Sequence, residues 1–165
     1  MTKIGVYPGT FDPMTKAHLN IVKRSLKLVD KLIIGIADNL NKKPLLSIDE
    51  RKDIIFKDIN LIELSNKKIE IYSVKGLLTE FAKNHNADCI IRGLRAVSDF
   101  ESEFQMTGMN YKLNPNIETI FLMSSDNNSF ISSKLVKEVH KLGGDVSKFV
   151  SSNTISILNK KNSLS

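Results

Sequence analysis

Five short apolar runs recur along the chain, and between them apolar residues fall at helical spacing. Lys3-Ile4-Gly5-Val6-Tyr7, Lys31 to Ile36, Ile69 to Tyr72, Cys89 to Ile91 and Thr119 to Met123 have the length and hydrophobicity of strands covered on both faces. Leu19 to Leu26 suits a helix that starts near Thr15. Ser47-Ile48-Asp49-Glu50 matches a capping box ahead of a second helix, and Ser98-Asp99-Phe100-Glu101 matches another ahead of Phe104, Met106 and Met109. Leu77 to Ala82 begins a shorter helix, and Ser132 introduces one whose apolar face is Leu135, Val136 and Val139. Ile155, Ile157 and Leu158 suit a last helix, before a polar tail at about 160–165 that frays.

Strands alternating with helices call for a parallel sheet, since a crossover helix returns the chain to the same edge and packs on the sheet on its way. The expected fold class is α/β: a doubly wound, Rossmann-like five-stranded parallel sheet with helices on both faces. A chain of 165 residues suffices for one such core and not for two, so a single domain over 1–165 is expected. In this architecture ligands lie outside the carboxyl ends of the strands, where strand order reverses. The residues after each strand therefore outline a site: Thr10 and His18, Asn39 to Lys43, Ser73 to Leu78, Arg92-Gly93-Leu94-Arg95, and Ser124 to Lys134.

Their chemistry favours anions. Gly9-Thr10-Phe11-Asp12-Pro13-Met14-Thr15-Lys16-Ala17-His18 joins a buried strand to a helix, whose free N–H groups and positive dipole end suit an anion that His18 also faces. The other reading of this turn is a plain connector. Arg92 and Arg95 either bind phosphate oxygens bidentately or pair with Asp99 and Glu101. The serines from Ser129 to Ser133 form a second anion cradle with the helical N–H groups, or Ser132 simply caps its helix. Lys42 and Lys43 add cations.

The net charge is +6, but the lysines are scattered, with no dense basic stripe and no interleaved aromatics, which points away from nucleic acid. No run has the length of a membrane span. The single cysteine, Cys89, excludes an internal disulfide, and Met1-Thr2-Lys3 opens no apolar signal stretch, so a cytoplasmic location is expected. His85 and His140 lack partners at metal-ligand spacing.

Together, Tyr7-Pro8-Gly9-Thr10-Phe11-Asp12-Pro13 with His18, Ile90 to Glu101, and Ser129-Phe130-Ile131-Ser132-Ser133 with Leu135 to Val139 resemble bacterial phosphopantetheine adenylyltransferases of the nucleotidyltransferase superfamily. The resemblance covers nearly the whole chain. It implies transfer of AMP from ATP to 4′-phosphopantetheine, giving dephospho-coenzyme A and pyrophosphate, the penultimate step of coenzyme A synthesis. It also implies direct in-line displacement without a covalent intermediate, Mg²⁺ held by the ATP phosphates rather than by side chains, and a homohexamer. His18 would stabilise the transition state, Thr10 and Lys42 would orient the attacking phosphate, Arg92 would bind phosphopantetheine, and Leu78 would line the path of its arm. ATP would be held by Thr10, Phe11, His18, Gly93, Leu94, Arg95, Glu103 and the segment Asn128, Ser129, Phe130, Ile131, Ser132, Ser133 and Lys134.

The chain departs from the family pattern at Ala17, where glycine is usual, and at Ser102, Tyr111, Asn128 and Lys134. At Ala17 the cost is small if the backbone φ is negative. Two other readings remain open: a nucleotidyltransferase with another acceptor, and a non-catalytic nucleotide-binding sensor, the latter motivated by Ala17 and Lys134.

Overall fold

A computed structural model describes residues 2–38, 43–64, 66–95, 97–124 and 130–163, with backbone only at 97 and 98. Among these residues the chain runs β1 (Ile4–Gly9), α1 (Lys16–Ser25), β2 (Lys31–Ala37), α2 (Ile48–Ile59), β3 (Lys68–Val74), α3 (Leu78–Asn84), β4 (Cys89–Leu94), α4 (Val97–Leu113), β5 (Glu118–Met123), α5 (Ser133–Lys141) and α6 (Ser152–Asn162). The five strands form one parallel sheet in the order β3-β2-β1-β4-β5. The expected doubly wound fold is what the chain adopts.

Alternation along the central strands distributes their side chains between two cores. Tyr7, Leu32, Ile34, Ile36, Cys89 and Ile91 join the larger core, with Ile21 of α1, Ile54 and Ile55 of α2, Val136 of α5 and Leu158 of α6. Val6, Ile33 and Ile90 turn to the other face, where Phe81 and Ala82 of α3 cover them. The edge strand β3 is the more exposed and carries a Lys31–Glu70 ion pair of 2.7 Å across its junction with β2, a charged edge that discourages pairing with other strands.

Some boundaries differ from the expected ones. β4 continues through Leu94, so Arg92 and Gly93 stand on the strand itself rather than in a loop after it. Helix α4 begins at Val97, which places Ser98 inside the first turn instead of at the cap. Helix α6 runs through Asn162, so residues 160–162 are helical, anchored by Leu158 in the core. No helix among the described residues is long and apolar enough to cross a membrane.

Strand order reverses between β1 and β4: the chain builds outward to β3, then returns to β4 on the other side of β1. The loops after β1 and β4 diverge there, and the crevice between them is the natural ligand site.

Candidate active site

A cavity of about 640 Å³ opens at this crevice. Its floor comes from Tyr7 to Asp12 at the end of β1, one wall from Ala17, His18 and Ile21 of α1, and another from Arg92, Gly93 and Arg95. Asp99, Ser102 and Glu103 of α4, with Ser124, Pro44 and the start of α5, complete it.

The turn after β1 depends on Gly9 for a steric reason. Phe11 has φ +50° and folds its ring back into the core, where a Cβ on Gly9 would lie 2.8 Å from it. That ring stacks edge-on against Tyr7 at 5.4 Å and His18 at 5.2 Å between centroids. Phe11 therefore supports His18 from behind.

Thr15 caps α1, with its hydroxyl accepting from the backbone N–H of His18 at 3.4 Å. The cap is reciprocal: the Thr15 backbone N–H donates to Nδ1 of His18 at 3.0 Å, and the Thr15 hydroxyl lies 2.9 Å from the same nitrogen. In the usual box a glutamate or glutamine fills the third helical position; here a histidine does. An Nδ1 that accepts leaves the proton on Nε2. Burial, and then the nearby Arg95 guanidinium, lower the His18 pKa to about 4. The ring is thus a neutral Nε2–H donor on the cavity wall. Burial also raises the Tyr7 pKa, against the pull of Arg92 and Arg95, so its hydroxyl stays protonated.

Arg92 and Arg95 are each held by a carboxylate. Arg92 sets its Nε against Glu103 at 2.6 Å and one Nη against the second Glu103 oxygen, while its other Nη donates to the Pro8 carbonyl at 3.1 Å. Three of its five N–H groups are used, so two remain for a phosphate. Arg95 pairs with Asp99 at 3.1 Å. The alternative reading of surface pairing is met for Arg95, with Asp99 alone; the partner of Arg92 is Glu103.

At α5, Ser132 caps through the Leu135 N–H at 3.1 Å, and Ser133 donates to the Pro13 carbonyl at 2.7 Å. Lys137 pairs with the buried Asp12. The exposed Lys134 amine rests at the cavity rim, 3.9 Å from Glu138. Among the described residues, Asp12, Asp99 and Glu103 each already face a cation, and no group of three or more potential metal ligands occurs.

Of the expected site residues, Thr10, Phe11, His18, Arg92, Gly93, Arg95, Glu103, Ile131, Ser132, Ser133 and Lys134 converge on the cavity. Leu94 does not; its side chain is buried elsewhere. Leu78 opens α3 and packs against the smaller core, and Phe130 stacks near Phe149 outside the cavity. Lys42, Asn128 and Ser129 lie outside the described residues. Ala17 is helical and has no positive φ, so the condition for a small cost there is met. The sequence reading missed Tyr7, Asp12 and Lys137 as lining groups and Arg51 beneath them. Arg51 had a signal: a charge on the inward stripe of α2 shared with Ile48 and Ile55.

The chain matches the cytidylyltransferase-like family over residues 6–139. It is 52% identical over 149 residues to the phosphopantetheine adenylyltransferase of Rhodospirillum centenum, covering 90% of this chain and 81% of that one. Identity to the enzyme of that name from Wolbachia pipientis subsp. Culex pipiens is 56%, covering 90% and 87%. With that of Pelagibacter ubique it is 49% over 98% of this chain and 99% of the relative. Among solved structures, a Plasmodium falciparum nicotinic acid mononucleotide adenylyltransferase complexed with NaAD superimposes with TM-score 0.74 at 19% identity, covering 98% of this chain and 97% of that one, a likeness of fold. With a nucleotide-suited crevice at the β1–β4 switch point and this degree of identity over nearly its full length, the chain belongs to the phosphopantetheine adenylyltransferase family.

Proposed function

We propose that the cavity holds ATP and 4′-phosphopantetheine side by side and that the chain transfers the adenylyl group between them. An oxygen of the acceptor phosphate attacks the α-phosphorus, the bond to the bridging oxygen of the β-phosphate breaks, and dephospho-coenzyme A and pyrophosphate result. The nucleophile is already ionised, so no general base is required. The protein's work is to bring two anions together in line and to stabilise charge growing on the α-phosphate. The observation that carries this reading is that His18, its Nδ1 taken up by the Thr15 N–H, lines the same cavity as Arg92 and Arg95.

Thr10 and Arg92 serve the acceptor phosphate, with Lys42 as a third group. Arg95 and the start of α5 serve the outer phosphates of ATP. The cavity carboxylates are engaged by cations, which suits Mg²⁺ arriving on the ATP phosphates rather than a resident ion. The apolar surface of α4 supports a homohexamer, and the one buried, unpaired cysteine suits the cytoplasm.

The test is pyrophosphate release from ATP and Mg²⁺ with 4′-phosphopantetheine or nicotinate mononucleotide as acceptor. Release with phosphopantetheine alone is expected. Release only with nicotinate mononucleotide, or ATP binding without turnover of either, would sink the assignment.

A further inference from the structure

Beneath the active-site turn lies a charge that the reaction scheme above does not use. Arg51 stands in the first turn of α2 and is 1% exposed. Its Nη1 donates to the carbonyl oxygens of Thr10 at 2.8 Å and Ala37 at 3.0 Å, and its Nε to that of Ser47 at 3.4 Å. Among the described residues no carboxylate is bonded to it. A buried guanidinium without a counter-ion, at the positive end of a helix, is costly on both counts, so ordinary packing does not account for it.

The register between β1 and β2 shows what it does there. The last paired rung is Gly9 with Ile36. The next pair in line is Thr10 with Ala37, and here the strands part: β1 turns away into the Thr10–Phe11 bend. One Arg51 nitrogen bridges both carbonyls at this fork, in place of the missing rung. Asp12, two residues on, ties the same turn to the chain ahead of α2, accepting from the N–H groups of Leu45 at 3.0 Å and Leu46 at 2.9 Å.

We propose that Arg51 is a positioning residue for adenylyl transfer, fixing Thr10 at the fork between β1 and β2 so that Thr10 meets the acceptor phosphate in line. This rests on the functional reading above. Arg51 does not line the cavity, so it acts through Thr10 and not on substrate. The bridge needs a planar fork with several donors in fixed directions, which lysine does not supply.

The experiment compares Arg51→Ala, Arg51→Lys and a packing control, Ile59→Ala at the far end of α2. Each is assayed for pyrophosphate release with ATP and 4′-phosphopantetheine, well below its melting midpoint. In Arg51→Ala, kcat should fall about 10²-fold while KM for ATP changes less than about threefold. Arg51→Lys should lose about tenfold, since it keeps charge without the fork. Guanidinium ion added to Arg51→Ala should restore part of the rate, and Ile59→Ala should keep its kcat. Unchanged kcat in both Arg51 variants, or an equal loss in Ile59→Ala, overturns the proposal while activity of the unaltered chain upholds the functional reading. No release by the unaltered chain overturns both. If Arg51→Ala does not fold, Arg51→Lys decides by the same criterion.

Discussion

The Thr15 backbone N–H donates to Nδ1 of His18, and a nitrogen that accepts cannot also carry the proton. With the pKa lowered to about 4 by burial and by Arg95, the ring at neutral pH is uncharged and offers Nε2–H to the cavity. A neutral donor can follow charge onto the transferring phosphate without first being discharged by it. Nitrogen NMR of the imidazole should therefore report the Nε2–H tautomer at pH 7 and a midpoint near 4; an Nδ1–H tautomer, or a midpoint near 6.5, would refute this. The same shift links to stability. Because the folded state resists protonating His18, its contribution is complete above about 6.5 and is lost as pH falls from there towards about 4. His18→Ala should remove that part of the pH dependence and lower turnover by roughly 10²- to 10⁴-fold, with ATP binding much less affected. The Thr15-to-His18 spacing was plain in the sequence, but its use as a capping box was not, because histidine is not the residue that position usually holds.

Between elements, the Asp12–Lys137 pair does more than either charge alone. Asp12 is 4% exposed and joins the turn after β1, the chain near Leu45 and Leu46, and α5 through Lys137. The carboxylate is the buried end, so losing Lys137 strands a buried charge, while losing Asp12 leaves the Leu45 and Leu46 N–H groups unanswered. Asp12→Ala and Lys137→Met should therefore each cost about 3 kcal/mol. Urea melts of both and of the double variant measure this; costs that simply add would show that the two do not interact. Residues 12 and 137 belong to motifs recognisable in the sequence, yet nothing local to either reveals that they meet. By contrast, the caps at Ser47 and Ser132 were legible, since a cap is decided by the next three residues.

At the scale of the whole molecule, α4 exposes apolar side chains, Phe104 at 64% and Met109 at 61%. Exposed apolar side chains of this kind suit a contact between copies of the chain, as the proposed homohexamer requires. Light scattering should give a multimer mass for the unaltered chain, and Phe104→Glu with Met109→Lys should reduce it while the circular dichroism spectrum is retained. A monomeric mass before substitution would remove the assembly from the proposal. The sequence by itself determined the order of strands and helices, the doubly wound class, and the convergence of Thr10, His18, Arg92, Arg95 and the α5 serines, because periodicity, caps and the strand-end rule act over short spans of chain. Only the tertiary structure decided that Glu103 holds Arg92 across 11 residues, that Arg51 reaches Thr10 across 41, and that Lys137 reaches Asp12 across 125. Such pairings depend on which loops the β3-β2-β1-β4-β5 order brings to one edge, and a buried charge takes its partner from whatever that order places within reach.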